Sequence, residues 1–159
     1  EAVARALDQR SDLAHPELSV LLGAHRLGVT TSVHAALGAE IIHQHPAASG
    51  AAIGDTSHRD FRRLAAALPA LHEGGVVLNL GSAVIMPEVF LKAVSVVRNL
   101  GYPLRNFTTV NFDFLQHYRP SVNVVKRPHA NAGGRGYALT GHHEIMIPLP
   151  AAILGEGAR

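Results

Sequence analysis

Eleven histidines fall within 159 residues, and several are spaced so that they can act together. His43 and His45 flank Gln44, and on an extended segment that spacing turns both imidazoles to one side. Asp55 and His58 follow after a short loop, and Gly141-His142-His143-Glu144 adds further imidazoles and a carboxylate. Two chemistries suit this set. His45, Asp55, His58 and His142 can orient a substrate and exchange protons with it, because imidazole titrates near neutral pH. Alternatively, His43, His45, His142 and Glu144 offer three neutral imidazoles and a carboxylate, a donor set for Zn²⁺ or another divalent ion that leaves a position for water. A hydrolase or lyase would follow from the metal reading. The plainer alternative is that His43 and His45 sit on the surface while the adjacent His142 and His143 point apart. The chain has no Cys, so thiolate ligands, disulfides and a Cys nucleophile are excluded.

A second kind of chemistry is offered by Leu80-Gly81-Ser82-Ala83, which joins the apolar run 76–80 to a helical pattern opening at Pro87-Glu88. Small residues let the backbone approach a ligand there, and a helix N-terminus presents unpaired N–H groups to an anion. The loop lacks the Gly-x-Gly-x-x-Gly fingerprint and the Gly-Lys-Ser/Thr of a P-loop, and no Gly-x-Ser-x-Gly elbow surrounds Ser82. A serine hydrolase is excluded on that ground. Gly133-Gly134-Arg135-Gly136 reads as a flexible loop in which Arg135 can touch an anion. Asn111-Phe112-Asp113-Phe114 leads into Gln116-His117-Tyr118-Arg119, a polar and aromatic group suited to a pocket wall, with Tyr118 and Arg119 as candidate ligand contacts and Asp113 paired to Arg119. Glu88 favours the dipole of its own helix.

These residues must be positioned by a fold. Residues 1–10 read as a short helix, and Pro16 opens another that runs to about Leu27 before Gly28 stops it. Val29–Val33 is a β-branched run that predicts a strand, and Ala39–Ile42 fits a strand or part of a helix. A loop follows from His45 to Gly54, with Asp55-Thr56-Ser57 capping a helix from His58 to about Leu71. Strand 76–80, helix 87–100, strand 107–112 and a further strand at 122–125 complete the pattern. The apolar segment 145–154 carries Pro148 and Pro150 and therefore cannot be one regular helix. Strands alternating with helices predict the α/β class: a Rossmann-like, mostly parallel sheet flanked by helices, with ligands beyond the carboxyl ends of the strands. The corresponding loops are 43–58, 81–87, 112–120 and 139–144.

At 47% hydrophobic and 16% charged, the chain has the material for one core, so residues 1–159 are expected to form a single domain. The first residue is not an initiator Met and no signal peptide follows, so the domain is expected to be incomplete, with sequence missing upstream. No apolar run approaches the ~20 residues that span a bilayer. The formal charge is +2 with arginines scattered among acidic residues, which is no nucleic-acid footprint. A small-molecule ligand, no nucleic acid, no membrane and a cytoplasmic setting are the expected context.

The order of segments resembles the C-terminal half of deoxyhypusine synthase and its bacterial relatives. Ser19-Val20, Ala24-His25 and Val29 are similar to the family's Ser-Val...Ala-His...Ile-Pro-Val segment. Asp60-Phe61-Arg62-Arg63-Leu64-Ala65 leads into Gly75-Val76-Val77-Leu78-Asn79-Leu80-Gly81-Ser82-Ala83, as the family's Asp-Ile-x-x-Ile-Asn helix leads into its Gly-Gly-Gly strand and loop. Thr140-Gly141-His142-His143-Glu144 stands where the family has Ser-Gly-Ala...Asp-Glu-Ala. The resemblance spans most of residues 17–150 and implies a Rossmann-like NAD-binding fold in a cytosolic homo-oligomer, with sites at subunit interfaces. In the family, NAD oxidises spermidine, a Lys forms an imine with the aminobutyl group, and a protein lysine receives it. Carried over, Gly81, Ser82, Ala83, Thr140 and Gly141 would contact NAD. The chain departs from the family at its chemistry: Met86 occupies the position of the imine-forming Lys, and a thioether forms no Schiff base. Lys92, six positions farther on, does not substitute for it. The polyamine-handling Asp-Gly-Ser-Leu-Gly-Asp is reduced to Ala36-Leu37-Gly38-Ala39 or Ala52-Ile53-Gly54-Asp55. The expectation is an NAD-linked transferase relative acting on a small amine or other small ligand. Alternatives are the metal-dependent enzyme and a non-catalytic assembly subunit.

Overall fold

In the computed structural model, which describes residues 2–157, three strands form a parallel sheet in the order β1 (Val76–Leu80), β2 (Thr108–Asp113), β3 (Arg135–Thr140). The register pairs Leu78 with Val110 and Val110 with Tyr137. The chain thus has the Rossmann-like α/β class that its pattern predicts, with a parallel sheet flanked by helices. Between β1 and β2 runs α4 (Ile85–Asn99). Its residues Phe90, Ala93, Val94 and Val97 recur on one face and are all buried, as the 3.6-residue period requires. They form the core with Leu104, Phe107 and Val124, and with Ala65 and Leu68 at the end of α3 (Gly50–Ala67) and beyond it. Gly101, at φ +85°, lets the chain turn out of α4. Arg98 then ties the turn down by donating to the carbonyls of Leu104 and Pro128 at 2.9 and 2.6 Å.

The register separates the two faces of the sheet. Val77, Asn79, Thr109, Asn111, Asp113, Gly136 and Thr140 share the inner face, where Val77 packs on the core and Thr109 donates to Val124 O at 2.6 Å. Val76, Leu78, Leu80, Tyr137 and Leu139 share the outer face and remain exposed.

Several segments differ from the sequence reading. Helix α1 (Ala2–Asp8) forms as expected, but the next helix begins with a 3₁₀ turn, Pro16–Leu18, before α2 (Val20–Arg26). Ser19 separates them because its Oγ accepts from Leu22 N at 3.3 Å, which caps α2. Val29–Val33 has strand-forming residues but no strand beside it; it runs as irregular chain with Val29 and Val33 exposed. Residues Ile41–Gln44 form a 3₁₀ turn. The loop expected to reach Gly54 ends early, because Ser49 Oγ accepts from Ala52 N and starts α3 at Gly50. Asp55 therefore lies inside the helix rather than capping it.

Residues 122–125, expected as a strand, lie in a π-helical stretch, Ser121–Lys126, that follows the single turn α5 (Tyr118–Pro120). A four-residue, Val-rich segment does not distinguish a buried strand from a buried helical turn. The strand forms instead at the glycine-rich segment. Arg135 opens β3, and Gly136 is required there because a Cβ would collide with the carbonyl of Val125 in the π-helical stretch. The chain ends in two short helices, α6 (His143–Met146) and α7 (Pro148–Gly157), broken before Pro148 as its ring demands. No helix among the described residues is long and apolar enough to cross a membrane.

Candidate functional site

Parallel strands bring all three carboxyl ends to one edge of the sheet: Leu80-Gly81, Asp113-Phe114 and Thr140-Gly141. At the end of β1 the chain turns through Gly81, whose φ of +69° suits glycine and whose N–H donates to Phe112 O at 3.1 Å. Ser82 organises the turn twice. Its Oγ accepts from Met86 N at 3.2 Å, and its carbonyl accepts from Asn79 Nδ2 at 2.9 Å. The hydroxyl proton of Ser82 stays available to a ligand.

Behind this turn the inner face carries a chain of amides. Asn79 Nδ2 donates to Asn111 Oδ1 at 2.6 Å, and Asn111 Nδ2 donates to Gln116 Oε1 at 2.7 Å. Gln116 Nε2 then donates to Leu139 O at 3.1 Å and Thr140 Oγ1 at 3.2 Å. The three strand ends are therefore linked by side chains as well as by the backbone ladder. Asn79 and Asn111 are buried, so each missing partner would cost about 1–3 kcal/mol, and the series holds the edge in one arrangement.

At the centre stands Asp113, with 12% of its side chain exposed. Its Oδ1 accepts from Phe114 N at 2.8 Å and lies 3.8 Å from His143 Nε2, too far for a direct hydrogen bond. His143, at the start of α6, leans over Gly81: a Cβ there would stand 3.0 Å from Nε2. The other ring nitrogen, Nδ1, is buried without a hydrogen-bond partner. This arrangement sets a carboxylate and an imidazole beside a turn of small residues, where the pair can hold a proton or bind a cationic or hydroxyl group. His142 is exposed and stacks on Phe114 with ring centroids 4.7 Å apart.

The chain matches no protein-family model, no curated protein and no solved structure.

Of the residues singled out by sequence, Gly81, Ser82, Ala83, Thr140, Gly141 and His142 stand at the carboxyl edge of the sheet. His45, Asp55 and His58 belong to segments that precede β1. His43 Nδ1 accepts from Gly38 N at 3.2 Å, His45 Nδ1 accepts from Ala47 N at 3.1 Å, and Asp55 pairs with Arg59 at 3.0 Å one helical turn away. His58 is exposed on α3.

The metal set His43, His45, His142 and Glu144 is not assembled, and among the described residues no group of three or more His, Asp or Glu is placed to hold an ion. The physical reason is local: His43 lies in a 3₁₀ turn, so the two-residue alternation that would align it with His45 does not apply. Arg119 pairs with Glu88 at 3.3 Å rather than with Asp113. Glu88 also accepts from Lys92 at 3.0 Å and Asn123 at 2.8 Å, and these bonds, Lys92 first, hold its carboxyl below the usual range. Tyr118 is exposed.

Sequence reasoning gave no role to Asn79 and Asn111 and favoured His142 over its neighbour His143. A signal for the asparagines was present: Asn79 interrupts an otherwise apolar strand, and Asn111 and Asp113 alternate with Val110 and Phe112 in β2.

Proposed function

We propose that the chain is a small-ligand-binding α/β domain of the deoxyhypusine-synthase-like kind, with its ligand seated on the carboxyl edge of the sheet. The observation that carries this reading is the amide series from Asn79 through Asn111 and Gln116 to Thr140, with Asp113 and His143 set beside the open Gly81 turn. Such a set of satisfied polar groups on the packed face of a sheet rigidifies one edge, as binding sites of this fold class require. NAD is the ligand to test first. The Ser82 hydroxyl and the amides of Ala83 and Val84, which have no acceptor among the described residues, suit a phosphate or ribose oxygen. An amine or hydroxyl of a second small ligand would approach Asp113, with His143 accepting or returning a proton. Bound NAD would supply hydride transfer. Met86 replaces the imine-forming Lys, so a reaction at this edge would proceed without a Schiff base to that residue.

Isothermal titration with NAD, with NADH and with a panel of small di- and polyamines tests the reading. The expected result is binding to the wild-type chain that weakens at least about tenfold in Asp113→Asn and in His143→Ala, a loss on the order of 1.4 kcal/mol. Absence of binding by all of these ligands, or binding unchanged in both variants, overturns it.

A further inference from the structure

We infer that a cleft at the amino edge of the sheet is a binding site for a small phosphate monoester, separate from the candidate site at the carboxyl edge. The cleft has a volume of about 650 Å³, within the ~300–1,000 Å³ of small-ligand sites. Its walls come from the segments that lead into the three strands, residues 72–73, 101–105 and 130–132, with Arg98 from the end of α4. It lies the length of a strand from the Gly81 turn, on the order of 16 Å for the five residues of β1.

Two guanidiniums line this cleft, and neither makes an ion pair among the described residues. Arg98 is already fixed, since Nε and Nη2 donate to the carbonyls of Leu104 and Pro128, and its Nη1 has no acceptor among the described residues. Arg105 is exposed, and its guanidinium has no hydrogen-bond partner among them. The two charges stand near each other: burial first, and Arg105 second, hold the Arg98 pKa below its ordinary value. An anion that contacts both replaces this repulsion with attraction. Glu73, the acid in the wall, is engaged elsewhere, its two carboxylate oxygens accepting from Asn106 Nδ2 at 2.9 and 3.1 Å. A dianionic phosphate matches two guanidiniums, whereas a carboxylate leaves one charge unanswered. Tyr102, 55% exposed on the wall, offers aromatic surface to the organic part of the ester. Backbone strain gathers here too. Glu73, Asn106 and Asn131, the non-glycine residues with positive φ among those described, all stand in or beside the cleft at 58°, 52° and 60°. Such conformations concentrate where a ligand is held.

Phenyl phosphate, a dianion above about pH 6, is the probe, and benzoate is its monoanionic counterpart. A two-dimensional amide NMR titration at low salt and about pH 7.5 should show saturable shifts at Glu73, Arg105 and Asn131 but not at Gly81 or Ala83, with a Kd below about 1 mM. Arg105→Gln removes an exposed side chain without a hydrogen-bond partner, so the fold survives while binding weakens about tenfold. Tyr102→Ala should weaken it about threefold, and benzoate should bind the wild-type chain at least about tenfold more weakly than phenyl phosphate. Shifts at Gly81 in place of the cleft, binding unchanged in Arg105→Gln, benzoate bound as tightly as phenyl phosphate, or no saturation by about 10 mM overturns the inference.

Discussion

Replacing Gly81 by Ala perturbs the candidate site through one methyl group, and its cost separates into two parts. The backbone part arises from φ +69°, a conformation that costs a non-glycine residue about 1–2 kcal/mol. The contact part arises from the new Cβ, which would lie 3.0 Å from His143 Nε2, so the imidazole must shift by a few tenths of an ångström. Gly101 isolates the first part: it has φ +85° with nothing within 4 Å of an added Cβ. In a chain of 159 residues each 1 kcal/mol lowers Tm by about 2–4 °C, so Gly101→Ala should lose about 2–8 °C. Gly81→Ala should lose that amount plus a contribution that vanishes once His143 is removed. Urea unfolding of Gly81→Ala, His143→Ala and the double variant, followed by circular dichroism, closes the cycle. The expected coupling is about 0.5–1.5 kcal/mol. Additive single effects, within about 0.3 kcal/mol, would refute the placement of His143 over the turn and with it the geometry of the site.

Asn111→Leu keeps the volume roughly constant but strands Gln116 Oε1 and removes one of the two acceptors of Asn79 Nδ2, so denaturant unfolding should show a loss of about 2–4 kcal/mol. Gly136→Ala drives a Cβ against the Val125 carbonyl, and a backbone collision of this kind should cost about 3 kcal/mol or more, visible as a Tm loss larger than that of either other glycine variant. His129 and His34 have pKa values lowered from 6.5, both mainly by burial; Arg98 adds to this at His129, while Gly133 O opposes it there and Asp60 opposes it at His34. A depressed folded pKa means that the unfolded chain binds the proton first. The stability these residues contribute is therefore complete above pH 6.5 and falls as the pH drops below it, so Tm should decline from pH 7.5 to pH 5.5 and decline less in His129→Gln.

The fold class, strand 76–80, the helix after it and the strand beginning near 107 were legible because each depends on a local pattern: a short apolar run, a 3.6-residue period, and a glycine where the chain reverses. The Gly81 turn was legible for the same reason, since its residue types state its backbone conformation. The boundaries that shifted did so where a single capping hydroxyl chose the start. Ser49 moved the beginning of α3 to Gly50 and drew Asp55 into the helix.

What the sequence by itself determined, then, is the alternation of elements, the absence of thiol side chains and the small-residue turn after β1. Tertiary structure decided which polar residues meet. Asn79, Asn111 and Gln116 are joined across up to 32 positions of chain, and His143 reaches Gly81 and Asp113 only because β3 pairs beside β2. Tertiary structure also turned residues 122–125 into a π-helical stretch and made Gly136 the strand residue against which that stretch packs. The physical reason is the range of the forces involved. Propensity and capping act within a few residues, whereas burial of an amide or an imidazole is settled by neighbours that sequence spacing does not encode.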